Sequence, residues 1–171
     1  MRGFILILPF LIVSKLFATQ TVVHSQTPIG NTRTTYAEID RLNNIAYNIY
    51  LNSPDSARKL AENALLLSQK YNYSIGKGRS FYNIGLVYWS QSYYTISLFY
   101  LNSAITNLPA NKPLYLSDAY NALGRTYADL GNYSQALIDL DKSLGYAGND
   151  VSRLAEVFSE KSYVYCALKN Y

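Results

Sequence analysis

Two stretches decide the fold: Phe81-Tyr82-Asn83-Ile84-Gly85-Leu86-Val87-Tyr88 and Tyr120-Asn121-Ala122-Leu123-Gly124-Arg125-Thr126-Tyr127. Both read aromatic, two variable residues, aliphatic, glycine, two variable residues, tyrosine. A turn and another aromatic follow each, as Gln91-Ser92-Tyr93-Tyr94 and as Gly131-Asn132-Tyr133. Small and apolar residues then recur at a shared spacing, Ser97, Leu101 and Ala104 in one copy, Ala136, Leu140 and Ser143 in the other. Steps of three and four between apolar residues fit an amphipathic helix. Each unit therefore reads as two helices joined by a short turn. The small residues stand where the helices cross, because a larger side chain there would push them apart.

Working outward, Leu42, Ile45, Ala46 and Ile49 repeat the first helix with alanine for glycine, and Ala57, Ala61 and Ala64 repeat the second. Downstream, Phe158, Ser162 and Tyr165, then Lys169-Asn170-Tyr171, repeat a first helix and its turn, with Lys161 at the aliphatic position. Ala46, Gly85, Gly124 and Ser162 are spaced 39, 39 and 38 residues apart. A repeat of this length marks a stack of helix pairs, in which no pair covers both its faces and neighbours must do so. Ser53-Pro54 predicts a capping hydroxyl and a proline at the first helical position. Gly131 is placed to end a helix in the left-handed conformation. Connectors are expected at Tyr73–Lys77, Ala110–Pro113 and Gly148–Asp150, so Gly76-Lys77-Gly78 reads as connector glycine, not a phosphate loop.

These residues resemble the tetratricopeptide repeat (TPR) signature, Trp-x2-Leu-Gly-x2-Tyr, then Ala-x3-Phe, then Pro. Phe81 and Tyr120 stand at the tryptophan, Leu101 and Leu140 at the second-helix aromatic. The resemblance covers residues 39–171 and implies an all-α fold, a right-handed α-solenoid of antiparallel helix pairs with about 3.5 repeats. Their expected bounds are 39–77, 78–116, 117–154 and an incomplete 155–171.

It also implies where a partner would sit. In this family the first helix of each pair lines a concave inner surface, so the residues one step past the buried positions should face it. Those are Tyr47 and Tyr50 in the first copy; Arg79, Tyr82, Leu86 and Trp89 in the second; Asp118, Asn121, Arg125 and Asp129 in the third; and Tyr163 in the fourth. Aromatic and arginine side chains are the types enriched at binding hot spots. The competing reading has Trp89 and the tyrosines packing between neighbouring first helices. The lysine–asparagine clamp with which some TPR domains hold a C-terminal carboxylate is not reproduced. A protein or peptide ligand is the expected partner.

The chain carries 18 tyrosines and repeats at about 40 residues. In this it resembles the extracytoplasmic TPR sensor regions of bacterial two-component histidine kinases. That implies an exported interaction module, the sensory fragment of such a receptor. A freestanding envelope or secretion-assembly scaffold is one alternative. An accessory domain of an enzyme whose catalytic part is absent is another.

Catalysis within this chain is not expected. The single histidine, His24, lies near the N-terminus, so a serine or cysteine nucleophile lacks a base. Asp139 and Asp141 are two apart on a helix and diverge. The lone Cys166 reads as a small packing residue. No catalytic, cofactor or metal site is therefore expected, and no cofactor. Net charge is +4, too weak an excess to suggest nucleic acid. The acids are unevenly placed, none falling between Glu62 and Asp118.

At the N-terminus, Arg2 precedes an apolar run from Phe4 to Val13, interrupted at Lys15. A bilayer span needs about 20 apolar residues, and this shorter run has the form of a secretory signal peptide. Residues 1–25 are read as that signal, with cleavage after Ser25 or alternatively after Ala18; an uncleaved anchor from Phe4 to Val23 is the competing reading. No cysteine lies there for a lipid anchor, so the expected location is exported, periplasmic. Residues 26–38 read as a flexible lead-in. Membrane contact would come only through an uncleaved anchor or a missing C-terminal region. The last helix carries Val157, Phe158, Val164, Tyr165 and Leu168, an apolar set expected to self-associate if left uncovered.

Overall fold

A computed structural model of the chain describes residues 29–169. Seven helices occupy them: α1 (Ile29–Ile49), α2 (Pro54–Lys70), α3 (Ser74–Ser90), α4 (Tyr94–Asn107), α5 (Pro113–Asp129), α6 (Tyr133–Ala147) and α7 (Val151–Lys169). The fold is an all-α solenoid of antiparallel pairs, α1/α2, α3/α4 and α5/α6, followed by α7. Each helix packs on the next, and the odd-numbered helices also approach one another, α1 with α3, α3 with α5 and α5 with α7. The backbones of the even-numbered helices do not approach one another in this way. One face of the stack is therefore built from first helices alone.

The crossings form where small residues recur. Ala57, Ser97 and Ala136 are fully buried, as are Leu101 and Leu140 opposite the glycines. A Cβ on Gly85 would stand 2.9 Å from the Leu101 side chain, and one on Gly124 would stand 2.6 Å from Leu140 Cγ. Polar clasps reinforce two contacts. Ser117 Oγ donates to the Ser143 carbonyl at 3.0 Å and Ser143 Oγ to the Ser117 carbonyl at 2.8 Å, fastening α5 to α6. Between α1 and α3, Asn43 Nδ2 donates to the Gly76 carbonyl, Ser80 Oγ donates to Asn43 Oδ1, and Asn83 Nδ2 reaches both Asn43 oxygens. All three side chains are buried, so these bonds satisfy groups that water cannot reach.

Helix ends follow local chemistry. Pro54 and Pro113 open α2 and α5 at their first turns, where a missing N–H removes nothing. Asn132 caps α6 by accepting from Gln135 N at 3.2 Å. Gly131 ends α5 at φ +75°, in the left-handed region as expected.

The structure corrects several expectations. Helix α1 begins at Ile29, so most of the predicted flexible lead-in is helical. Tertiary contact holds it there: Tyr36 stacks on Tyr73 with centroids 4.2 Å apart and donates its hydroxyl to the Tyr71 carbonyl. Helix α3 begins at Ser74, which moves Gly76 and Gly78 out of a connector and into a helix. They are glycines for lack of space, since a Cβ on Gly76 would stand 2.7 Å from Ile39 and one on Gly78 2.6 Å from Leu108. Ser53 precedes α2, but its hydroxyl makes no capping bond. Cys166 is exposed, not packed. Val157 and Val164 are already buried against α6, while Phe158, Tyr165 and Leu168 remain exposed. The signal segment, both cleavage points, His24 and Tyr171 lie outside the described residues.

Candidate inner-face binding site

The face built from first helices holds a cavity of about 260 Å³ where α1, α3, α5 and α7 come together. Tyr47 of α1, Arg79, Tyr82 and Asn83 of α3, Tyr115 and Asp118 of α5, and Ser152, Arg153 and Glu156 of α7 line it, together with Leu108 just past α4. Tyr47 and Tyr82 stack with centroids 6.2 Å apart. Burial, and next the Asp118 carboxylate, hold the Tyr82 hydroxyl well above the usual phenol range. Tyr47 is raised as well, chiefly by burial. Both stay neutral hydrogen-bonding groups at any physiological pH.

Charge in the cavity is ordered by pairs that bridge first helices about one repeat apart. Arg79 reaches back to α1, bonding Asp40 Oδ1 at 3.0 Å and Asn44 Oδ1, and lies 5.1 Å from the Tyr115 ring centroid. Tyr73 also donates to Asp40, and burial followed by that carboxylate pushes its hydroxyl up to about 12. Arg153 makes a two-pronged contact with Asp118 at 2.6 and 2.9 Å and a third bond to Asp150 at 2.8 Å. The bonds to Asp118 raise the arginine further above its ordinary value, so it stays cationic. That fork ties α7 to α5.

Further along the same face lies a second group. The Arg125 guanidinium sits 3.8 Å from the Trp89 ring centroid, and Trp89 Nε1 donates to Asp129 Oδ2 at 2.6 Å. Two polar atoms on adjacent turns of α5, Asn121 Oδ1 and Arg125 Nε, are buried and have no hydrogen-bond partner. Leaving such groups unsatisfied costs about 1–3 kcal/mol apiece. Glu160 of α7 faces the same region, and burial together with Asp129 and Glu156, opposed by Arg125, raises its carboxyl above the ordinary value.

Of the residues the sequence nominated, Tyr47, Arg79, Tyr82 and Asp118 line the cavity, and Trp89, Asn121, Arg125 and Asp129 form the second group. Tyr50 packs instead against the core around Leu86 and Leu101. Leu86 itself is 1% exposed and belongs to that core, which removes it from the candidate surface. It lies in a cluster with Leu101 of α4 and with Ala122 and Leu123 of α5, inside the stack rather than on the open face. Tyr163 is exposed on α7, away from the cavity lining. Sequence reading passed over Asn83, Tyr115, Ser152, Arg153 and Glu156. Tyr115, Ser152 and Arg153 sit in the first turns of α5 and α7, just past the expected connectors. The one available signal was the cluster of acids after Asp118.

Among the described residues no group of histidine, cysteine and carboxylate side chains could hold a metal, and no helix is long and apolar enough to cross a membrane. Residues 117–150 match the family model described as Tetratricopeptide repeat, a span that coincides with the α5/α6 pair. Comparison with curated proteins and with solved structures returns no match.

Proposed function

We propose that this tetratricopeptide-repeat array holds an extended peptide segment of a protein partner along its inner face, between the α1/α3/α5/α7 cavity and the Trp89–Arg125 group. A TPR fold of this kind is typically a non-catalytic protein-interaction module, which gives the broad class. The cavity on the first-helix face, walled by Tyr47 and Tyr82 and edged by Asp118 and Glu156, carries the finer reading. Trp89, the chain's single tryptophan, lies further along that face against Arg125 and supplies flat apolar area that costs little entropy to order.

The test is a panel of labelled peptides titrated against the chain by fluorescence polarisation. Trp89→Ala should weaken any inner-face binder by about 2 kcal/mol, and Asn121→Ala should weaken it less. Peptides that bind equally well to helical, folded Trp89→Ala and Tyr47→Ala variants would place the site elsewhere.

The cellular setting of this module is proposed on sequence grounds. The charged, apolar, then polar order of residues 1–25 supports export. The tyrosine-rich period near 39 supports a sensory role in a histidine-kinase-type receptor, ahead of an envelope scaffold or an enzyme's accessory domain. Detection of the mature chain in a periplasmic fraction, with cleavage near Ser25, tests the first part. Retention of the intact chain in the cytoplasm would overturn it.

A further inference from the structure

Resting on the reading that the inner face holds a peptide, we propose that the cavity receives a lysine or arginine side chain of that peptide, laid against the Tyr47 and Tyr82 rings with its charge on the Glu156 carboxylate. Four observations lead there. The walls are tyrosine rings, whose faces attract cations, and the cavity already uses that attraction once, between Arg79 and Tyr115. Its own guanidinium groups are taken: Asp40 holds Arg79, and Asp118 with Asp150 hold Arg153. An anionic ligand would have to break one of those pairs. Glu156, by contrast, lines the cavity and pairs with no cation among the described residues. Glu160 stands one turn further along α7, and like charges at that spacing repel. A cation bound at Glu156 relieves that repulsion. The negative field is local, because the chain as a whole carries +4. An isolated acid patch would say little; here it closes an aromatic-walled cavity of about 260 Å³, room for the charged end of one long side chain and its stem.

Four pools of acetylated hexapeptides, identical except for lysine, arginine, norleucine or glutamate at one fixed position, test this on the full chain. Acetylation removes the terminal ammonium, so the fixed side chain is the varied charge. The lysine and arginine pools should bind about tenfold more tightly than norleucine, and the preference should narrow in high salt. Glu156→Gln, a substitution of near-equal volume at an exposed position, should bring the lysine pool close to norleucine. Norleucine or glutamate binding as tightly as lysine, with that binding lost in Tyr47→Ala, would overturn the cation assignment and leave the peptide groove standing. A lysine preference that survives Glu156→Gln would also overturn it. Failure of every pool to bind would overturn both the cation assignment and the groove.

Discussion

At the scale of single residues, helical glycines in this chain differ in kind, and they should respond to alanine with opposite signs. Gly124 lies under Leu140, where a Cβ would approach Cγ to 2.6 Å, Cδ2 to 2.8 Å and the Ala136 carbonyl to 3.1 Å. The carbonyl is backbone and cannot turn aside, so Gly124→Ala should cost about 1–3 kcal/mol, the range for overpacked contacts. Gly145 is helical too, but a Cβ there would meet nothing within 4 Å. Gly145→Ala should therefore stabilise by about 0.5–1 kcal/mol, because glycine loses more backbone freedom on folding. Urea melts of both variants measure the pair, and shifts of the same sign would remove the crossing argument. The sequence distinguished these two glycines only because Gly124 fell in register with Gly85. It did not distinguish Leu86, which sits at a nominally inward position, because a one-residue difference in facing decides between groove and core.

At the scale of elements, the turns show a regularity that no shared residue type announces. Asn72, Ser92 and Gly131 occupy corresponding positions after α2, α3 and α5, with φ of 53°, 62° and 75°. Each turn closes with the same pair of bonds, for example Ser92 N to the Trp89 carbonyl and Tyr93 N to the Tyr88 carbonyl. This is a left-handed helix end with its outer bond spanning six residues. Serine is an unfavourable occupant of that conformation, so Ser92→Gly should stabilise by about 1 kcal/mol. An unchanged melting temperature would mean the serine hydroxyl compensates. Gly131 was legible because glycine is the usual residue there, and Asn72 because asparagine is the next; Ser92 carries no such flag. The α1–α3 junction was likewise illegible, since polar residues on a helix face normally point to water. Asn43 instead binds α3 through four hydrogen bonds in the core. Alanine there removes the three bonds that use the side chain, while Asn83 Nδ2 keeps the Asn43 main-chain carbonyl and Ser80 Oγ keeps the Gly76 carbonyl. At about 0.5–1.5 kcal/mol for each bond lost, Asn43→Ala should destabilise the chain by about 2–4 kcal/mol, and a loss below about 1 kcal/mol in a urea melt would show that water enters the gap.

At the scale of the whole molecule, helix order and pairing were legible because a period near 39 states them directly. The cavity was not, since it draws on four helices and takes several lining residues from turns that no repeat motif covers. The same assembly gives the inner face a pH dependence. Glu160 holds its proton more tightly folded than unfolded. This favours the folded state fully below the unfolded carboxyl value of roughly 4.3 and is lost as pH rises through the higher folded value. Glu160→Gln should therefore stabilise the chain by a few tenths of a kcal/mol at pH 7, the size of a like-charge pair one turn apart, and by nothing at pH 3. A gain that is equal at both would assign the effect to packing. Stability should also be uneven along the stack, because each repeat contacts only its neighbours. Helices α3 to α6 are flanked on both sides, whereas among the described residues α7 is covered by α5 and α6 alone, with Val157 and Val164 as its buried residues. Its other ties are polar: the Arg153–Asp118 fork at its first turn and the Lys161–Asp141 pair further along. Amide exchange should accordingly be faster across α7 than across α5. Arg153→Ala should widen that difference, opening the cavity wall while leaving α3 and α4 protected. If all helices exchange together in both proteins, the stack opens as one cooperative unit, and the fork contributes nothing local to holding α7 over the inner face.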